Sequence, residues 1–234
     1  MLPVAILAGG LATRLHPITQ SLPKALVCVD GKPFISRQLA YLHSQGVRRV
    51  VLCIGYLGEM IEAVVGNGEQ FGLDVSYSPD GETLLGTGGA LRKALPLLGG
   101  DFFVLYGDSY LPIDFSFVQQ AYASSGQRAM MTVMANGDRW DKSNVLFNNG
   151  RLLEYNKNAF QPNMAHIDYG LGVMSATVLT PYANDQAFDL ADVYQQLSKL
   201  GQLGGLEVDQ RFYEIGSHTG LKETEDYFST QEKV

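Results

Sequence analysis

Residues 7–24 read LAGGLATRLHPITQSLPK, from Leu7 to Lys24. A short apolar run, Pro3 to Leu7, leads into this stretch and predicts a buried strand. At Gly9-Gly10 the apolar pattern stops. Paired glycines after a strand let backbone N–H groups approach a ligand with no Cβ in the way. N–H groups turned into one concavity make an anion site, and Arg14 and Lys24 add full positive charge to it. No Asp or Glu occurs before Asp30, although the 234-residue chain carries a net charge of −7. The N-terminal stretch is therefore a basic island in an acidic protein, as expected where a phosphate-rich ligand sits. The phosphate-loop pattern is absent, because no Gly-Lys-Ser/Thr follows the glycines. The dinucleotide fingerprint G-x-G-x-x-G is absent too.

Working outward, the next elements alternate. Ala25 to Val29 leads to a turn at Asp30-Gly31, and Pro33 suits the start of a helix whose face carries Phe34, Leu39 and Leu42. Arg49 to Ile54 reads as a strand closed by Gly55. Tyr56 to Val65 reads as a helix with Ile61, Val64 and Val65 inward. Leu73 to Tyr77 is a third strand, Thr87 to Leu98 a helix, and Asp101 to Tyr106 a fourth strand. Strands alternating with helices of about ten residues predict an α/β fold, a three-layer α/β/α arrangement on a mostly parallel sheet. Ligands of such sheets lie outside the carboxyl ends of the strands. The Gly-rich stretch, Gly55-Tyr56 and Gly107-Asp108 all fall at such ends, so three segments converge on one crevice.

The second half changes rhythm. Asp114 reads as the cap of a helix that runs to Gly126, and Arg128 to Met134 as a strand. Asn148-Asn149-Gly150 joins two short apolar runs and signals a hairpin, an antiparallel excursion. His166 to Met174 is a strand with Asp168-Tyr169-Gly170 embedded in it. An amphipathic helix over 189–200, strands over 206–208 and 212–215 and a last helix over 219–228 complete the chain.

The whole N-terminal string resembles the signature of the sugar-1-phosphate nucleotidylyltransferases (nucleotide-sugar pyrophosphorylases), L-x-G-G-x-G-T-R-L-x-P-x-T-x-x-x-P-K. The chain matches at Leu7, Gly9, Gly10, Thr13, Arg14, Leu15, Pro17, Thr19, Pro23 and Lys24. It departs at Ala12, where the family has glycine; alanine there is read with a negative φ. The resemblance implies a Rossmann-like, GT-A-like nucleotidyltransferase domain over 1–234, with a nucleotide-binding half (1–110) and a sugar-binding half with the closing strands (111–234). It implies that Leu7, Ala8, Gly9, Gly10 and Thr13 cradle the nucleotide and that Gly86, Thr87 and Gly88 meet its base. Arg14 and Lys24 are the implied catalytic cations. Asp108 is the implied Mg²⁺ ligand, with Glu214 standing where the family has a second aspartate. Glu154 and Lys157 resemble an E-K segment whose lysine holds the sugar phosphate, and Asp168 and Gly170 stand where polar groups meet sugar hydroxyls.

LAGGLATRL with PKALV, LGTGGAL and YGDS resembles most the branch of D-glycero-D-manno-heptose 1-phosphate guanylyltransferases. Mannose 1-phosphate guanylyltransferases and N-acetylmuramate 1-phosphate uridylyltransferases share much of it. The implied reactants are an NTP and a sugar 1-phosphate, with Mg²⁺ as cofactor. A non-catalytic sugar-nucleotide sensor on the same fold is the competing class. A dinucleotide-dependent oxidoreductase predicts motifs this chain lacks.

Bulk composition bounds these readings. Hydrophobic content of 46% and charged content of 18% indicate a globular protein. No run of about 18 apolar residues offers a membrane span. No charged N-terminal region precedes an apolar one, so the expectation is a cytoplasmic protein. The acidic balance argues against nucleic acid as partner, and a homodimer stays open. Cys28 and Cys53 lack C-x-x-C spacing and are expected buried and reduced. His16, His43, His166 and His218 are scattered, which argues against zinc.

Overall fold

The computed structural model describes residues 1–159 and 161–231. In chain order the elements are β1 (Val4–Leu7), β2 (Cys28–Val29), β3 (Lys32–Pro33), α1 (Phe34–Ser44), β4 (Arg49–Ile54), α2 (Gly58–Val65), β5 (Asp74–Pro79) and α3 (Gly86–Leu98). Next come β6 (Asp101–Tyr106), β7 (Ser109–Tyr110), α4 (Phe115–Ser125), β8 (Ala129–Ala135), β9 (Val145–Asn148), β10 (Arg151–Tyr155) and β11 (His166–Ser175). The chain closes with α5 (Leu190–Lys199), β12 (Leu203–Glu207), β13 (Tyr213–Glu214) and α6 (His218–Gln231).

The mixed, mostly parallel sheet expected from the alternating pattern is present, with strand order β10-β9-β11-β6-β1-β4-β5 and β8 and β12 joined through β11. β1 lies between β4 and β6, parallel to both. Strand side chains alternate between faces. Val4, Ile6, Val50, Leu52, Phe103 and Leu105 pack into the core that takes in the buried faces of α1, α2 and α4. Ala5, Val51, Cys53, Phe102 and Val104 pack into the one shared with α3 and α5. Burial on both faces explains why these strands read as unbroken apolar runs.

The Asn149-Gly150 turn places both residues at positive φ, 50° and 74°, the geometry of a two-residue hairpin loop. The hairpin is not a free-standing excursion: β9 pairs with β11 and so extends the main sheet. Asp114 caps α4, accepting from the N–H groups of Ser116 and Phe117. No described helix is long and apolar enough to cross a membrane.

Several expectations need correction. α2 begins at Gly58 rather than Tyr56, because Leu57 takes a left-handed conformation (φ 55°) that cannot continue a helix. Val64 is exposed and only Ile61 and Val65 of the expected trio are buried. Pro33 ends β3 and precedes α1 rather than lying within it. Cys28 is exposed while Cys53 is buried. β2 is half of a two-stranded ribbon. Only one of its faces is covered, by Val29 against Phe34, Ile215 and Phe228.

Candidate active site

Two cavities open at the carboxyl ends of β1, β4 and β6 and meet at Tyr106 and Asp108, which line both. The first, about 240 Å³, is walled by Leu7, Ala8, Gly9 and Gly10 on one side and Gly86 and Thr87 on the other, with Lys24 and Asp108 at its end. The second, about 560 Å³, is walled by Arg14, Asp108, Glu214, Lys157, Asp168 and Gly170, with Arg139, Trp140 and Arg211 beyond them. The topology explains the convergence. β1 and β6 are parallel neighbours in register, Leu7 opposite Tyr106, so the Gly-rich loop and the Gly107-Asp108 turn leave the sheet side by side.

The turn carrying Arg14 starts at Ala12. Its φ is +50° and its ψ 42°, which contradicts the negative φ read from the sequence. The left-handed conformation aims the Ala12 carbonyl at two donors, Thr19 Oγ1 at 2.7 Å and the Leu15 N–H at 3.1 Å. These bonds close the turn and hold a conformation that an L-residue adopts only at a cost.

Asp108 and Glu214 are brought together by the β7–β13 ladder, in which Ser109 stands opposite Glu214. The Ile215 N–H also donates to the Asp108 carbonyl at 2.9 Å. Lys24 Nζ lies 2.7 Å from Asp108 Oδ2. Glu214 Oε2 accepts from the Gly216 N–H at 2.8 Å and Oε1 from Ser217 Oγ at 3.2 Å. A methyl group on Gly216 would overlap Glu214 Oε2 and stand 3.0 Å from Arg14 Nη2 and 3.3 Å from Asp108 Oδ2. One guanidinium and two carboxylates thus face a single point that only glycine leaves open. Burial pushes the Glu214 carboxyl up, and the Asp108 charge adds to the push. The N–H of Gly216, the Ser217 hydroxyl and the charge of Arg14 oppose it.

In the second cavity Asp168 sits at a β-bulge of β11. Its Oδ1 accepts from the Gly170 N–H at 3.0 Å. Burial pushes its carboxyl up to about 6, against that hydrogen bond and the charge of Lys157. Lys157 Nζ lies 3.0 Å from Asp189 Oδ2. The other oxygen of Asp189 accepts from Thr87 Oγ1 at 2.7 Å and caps α5 at the Ala191 N–H. Asp189 therefore ties a wall of the first cavity to a cation of the second.

Three residues singled out in the sequence lie elsewhere. Gly88 is buried against the ring of Phe188, which a Cβ would overlap, and its N–H donates to the Phe188 carbonyl at 3.0 Å. Thr13 lines neither cavity and closes the turn by accepting from the His16 N–H. Glu154 accepts from Gln161 Nε2 at 2.9 Å, outside both cavities. Asp80 and Asp189 are site residues the sequence reading passed over. Asp80 lines the first cavity and accepts from the Leu85 N–H at 3.1 Å. An aspartate ahead of a glycine turn and one ahead of a helix are the only local traces of these roles.

The nucleotidyl transferase family model matches residues 4–143. N-acetylmuramate alpha-1-phosphate uridylyltransferase of Neisseria meningitidis serogroup B is 40% identical over 120 residues. That match takes in 51% of this chain and 52% of the relative, so the chain spans about half of that protein's length. D-glycero-alpha-D-manno-heptose 1-phosphate guanylyltransferase of Campylobacter jejuni is 28% identical over 211 residues, 90% of this chain and 93% of that one. Among solved structures, HddC from Yersinia pseudotuberculosis complexed with GMP-PN superposes with a TM-score of 0.79 at 25% identity, over 97% of this chain and all of that one. The inositol-1-phosphate CTP transferase from T. maritima shares the fold, with a TM-score of 0.79 at 23% identity, over 98% of this chain and 95% of that one.

Proposed function

Because the chain belongs to the nucleotidyl transferase family, we propose that it joins a sugar 1-phosphate to the α-phosphorus of an NTP, releasing pyrophosphate and an NDP-sugar. The observation that carries this reading is the meeting of the two cavities at Asp108, with Lys24 on the first side and Arg14 on the second. A phosphate nucleophile is already ionised, so the chemistry needs alignment and charge neutralisation more than a general base. The Gly9-Gly10 backbone and Thr87 receive the nucleotide. Lys24 stabilises charge that develops at the α-phosphate. Arg14 holds the departing phosphates, and Lys157 and Asp168 hold the sugar phosphate and a sugar hydroxyl.

The pair Asp108 and Glu214 suits a Mg²⁺ ion. Burial first and the neighbouring Asp108 charge second push the Glu214 carboxyl up, and a cation held by the pair would relieve that repulsion. Among the described residues no cluster of three or more metal-ligating side chains exists. A two-carboxylate site is what Mg²⁺ takes when phosphates and waters fill its remaining positions. When bound, the ion supplies charge neutralisation on the triphosphate.

GTP with a heptose 1-phosphate is the preferred pair, supported by the near full-length match to the Campylobacter jejuni guanylyltransferase and by HddC solved with GMP-PN. The 40% identity to the Neisseria uridylyltransferase over half the chain keeps UTP with N-acetylmuramate 1-phosphate as the second reading. Lys24→Ala tests the catalytic assignment: kcat falls about 100-fold or more, as when one preorganised electrostatic donor is deleted. A fall of less than about threefold removes Lys24 from the transition state.

A further inference from the structure

Gln38 is a polar residue on the apolar face of α1, 2% exposed, between Phe34 and Leu42 one turn to either side. Its side-chain amide donates to two backbone carbonyls, Tyr106 O at 3.0 Å and Ser109 O at 2.7 Å. Those two carbonyls bracket the Gly107-Asp108 turn. Both neighbours are acceptors, so the NH₂ group must face them, and the amide orientation follows from the chemistry. The remaining oxygen, Gln38 Oε1, is buried and has no hydrogen-bond partner. A void of about 10 Å³ lies beside the side chain, at the lower limit of what one water needs. A leucine or methionine would fill this helix position and remove the unpaired oxygen, but it would also take the donor away from the Tyr106 and Ser109 carbonyls. The glutamine therefore has a reason to be there other than packing.

We propose that Gln38 is a positioning residue for the metal-binding carboxylates: it clamps both ends of the turn that carries Asp108 and, through Ser109, the ladder that carries Glu214. The proposal rests on the reading of Asp108 and Glu214 given above. Ser109 links the two carboxylates. Its carbonyl accepts from Gln38, and its Oγ donates to Asp108 Oδ1 at 3.3 Å. It also stands opposite Glu214 in the β7–β13 ladder. Gly107 is fixed independently, its N–H donating to the Leu7 carbonyl at 3.0 Å. Gly107 is thus held by β1 and Ser109 by α1, while Lys24 Nζ and Ser109 Oγ meet the Asp108 carboxylate itself. Outer partners of this kind orient the groups that bind a metal without touching it.

The test compares wild type with Gln38→Met, which keeps the length and removes both donors, and with Gln38→Glu, which when protonated keeps one. Each is melted, titrated with Mn²⁺ in the presence of GTP and without sugar phosphate, and assayed for pyrophosphate release as a function of Mg²⁺. Gln38→Met is expected to weaken Mn²⁺ binding about tenfold and to raise the half-saturating Mg²⁺ by a similar factor, with Gln38→Glu between it and wild type. A Gln38→Met protein that melts near wild type with Mn²⁺ affinity within about twofold overturns the proposal. If Gln38→Met does not fold, Gln38→Glu decides alone: wild-type Mn²⁺ affinity overturns the proposal, and weakened affinity in a folded protein supports it. Failure of the underlying reading has a separate signature, because Asp108→Asn would then leave wild-type Mn²⁺ binding unchanged.

Discussion

Ala12 shows how much a single backbone position can carry. Its left-handed conformation (φ 50°) costs an L-residue roughly 1–2 kcal/mol. Glycine there relieves that strain but gives back about 0.4–1 kcal/mol in unfolded-chain entropy. Ala12→Gly is therefore expected to stabilise the protein by about 0.5–1 kcal/mol, read from urea unfolding; a loss of more than about 1 kcal/mol contradicts the strained turn. Asp168 makes a second residue-level prediction. Its carboxyl is raised to about 6 from the ordinary 3.8, so between those values the folded chain keeps a proton that the unfolded chain releases. Stability then falls as pH rises through that window, the reverse of an aspartate held in a salt bridge. Asp168→Asn lacks this dependence. Its melting temperature should gain on wild type as pH rises from 4 to 7, and a constant difference across that range would refute the burial argument. Sequence reasoning expected Asp168 to meet a sugar hydroxyl but expected nothing about its charge, because the burial that raises it comes from the surrounding fold.

At the scale of elements, the β7–β13 pairing and the start of α5 do what no single helix or strand signals. Asp189 reads in the sequence as the beginning of an amphipathic helix, and it is that; its carboxylate also accepts from Thr87 and Lys157. Asp189→Ala removes the cap and both tethers. It is expected to cost about 1 kcal/mol, a melting-temperature fall of roughly 2–4 °C for a chain of this size. The KM for the sugar 1-phosphate rises with it as Lys157 loses its anchor. An unchanged KM would mean that Lys157 finds its place without Asp189. The β4 and β6 strands were legible to the residue, and β1 to within one, because strands buried on both faces are continuous apolar runs. The start of α3 was legible only in part. Its glycines predicted a flat approach to a base, yet Gly88 is small because Phe188 packs on it, a partner 100 positions away in a segment without local signal. Gln38 escaped for the same reason: one polar residue in an apolar stripe carries no address for the carbonyls it meets.

For the molecule as a whole, the parallel half of the sheet determines where chemistry can occur, and the antiparallel half built on β11 supplies the second wall. Gly-rich loop, Gly107-Asp108 turn and β13 reach one crevice because β1 and β6 are neighbours and β7 pairs with β13. The meeting of the first two was readable from the order of strands and helices, since ligands gather at the carboxyl ends of a parallel sheet; the arrival of β13 was not, and Gly55-Tyr56, also expected there, packs against Gly9 and lines neither cavity. The attachment of the hairpin to the main sheet was not readable either, because a turn signal states that two strands pair and not what third strand they join. The central proposal is that the two cavities meeting at Asp108 hold an NTP and a sugar 1-phosphate for transfer. The most direct measurement is pyrophosphate release with Mg²⁺, crossing GTP, UTP, CTP, dTTP and ATP against heptose, mannose, glucose and N-acetylmuramate 1-phosphates. Release with one pair, GTP and heptose 1-phosphate first among them, and its loss in Asp108→Asn is the predicted result. No release from any pair, together with no nucleotide binding by calorimetry, would contradict the claim at its root.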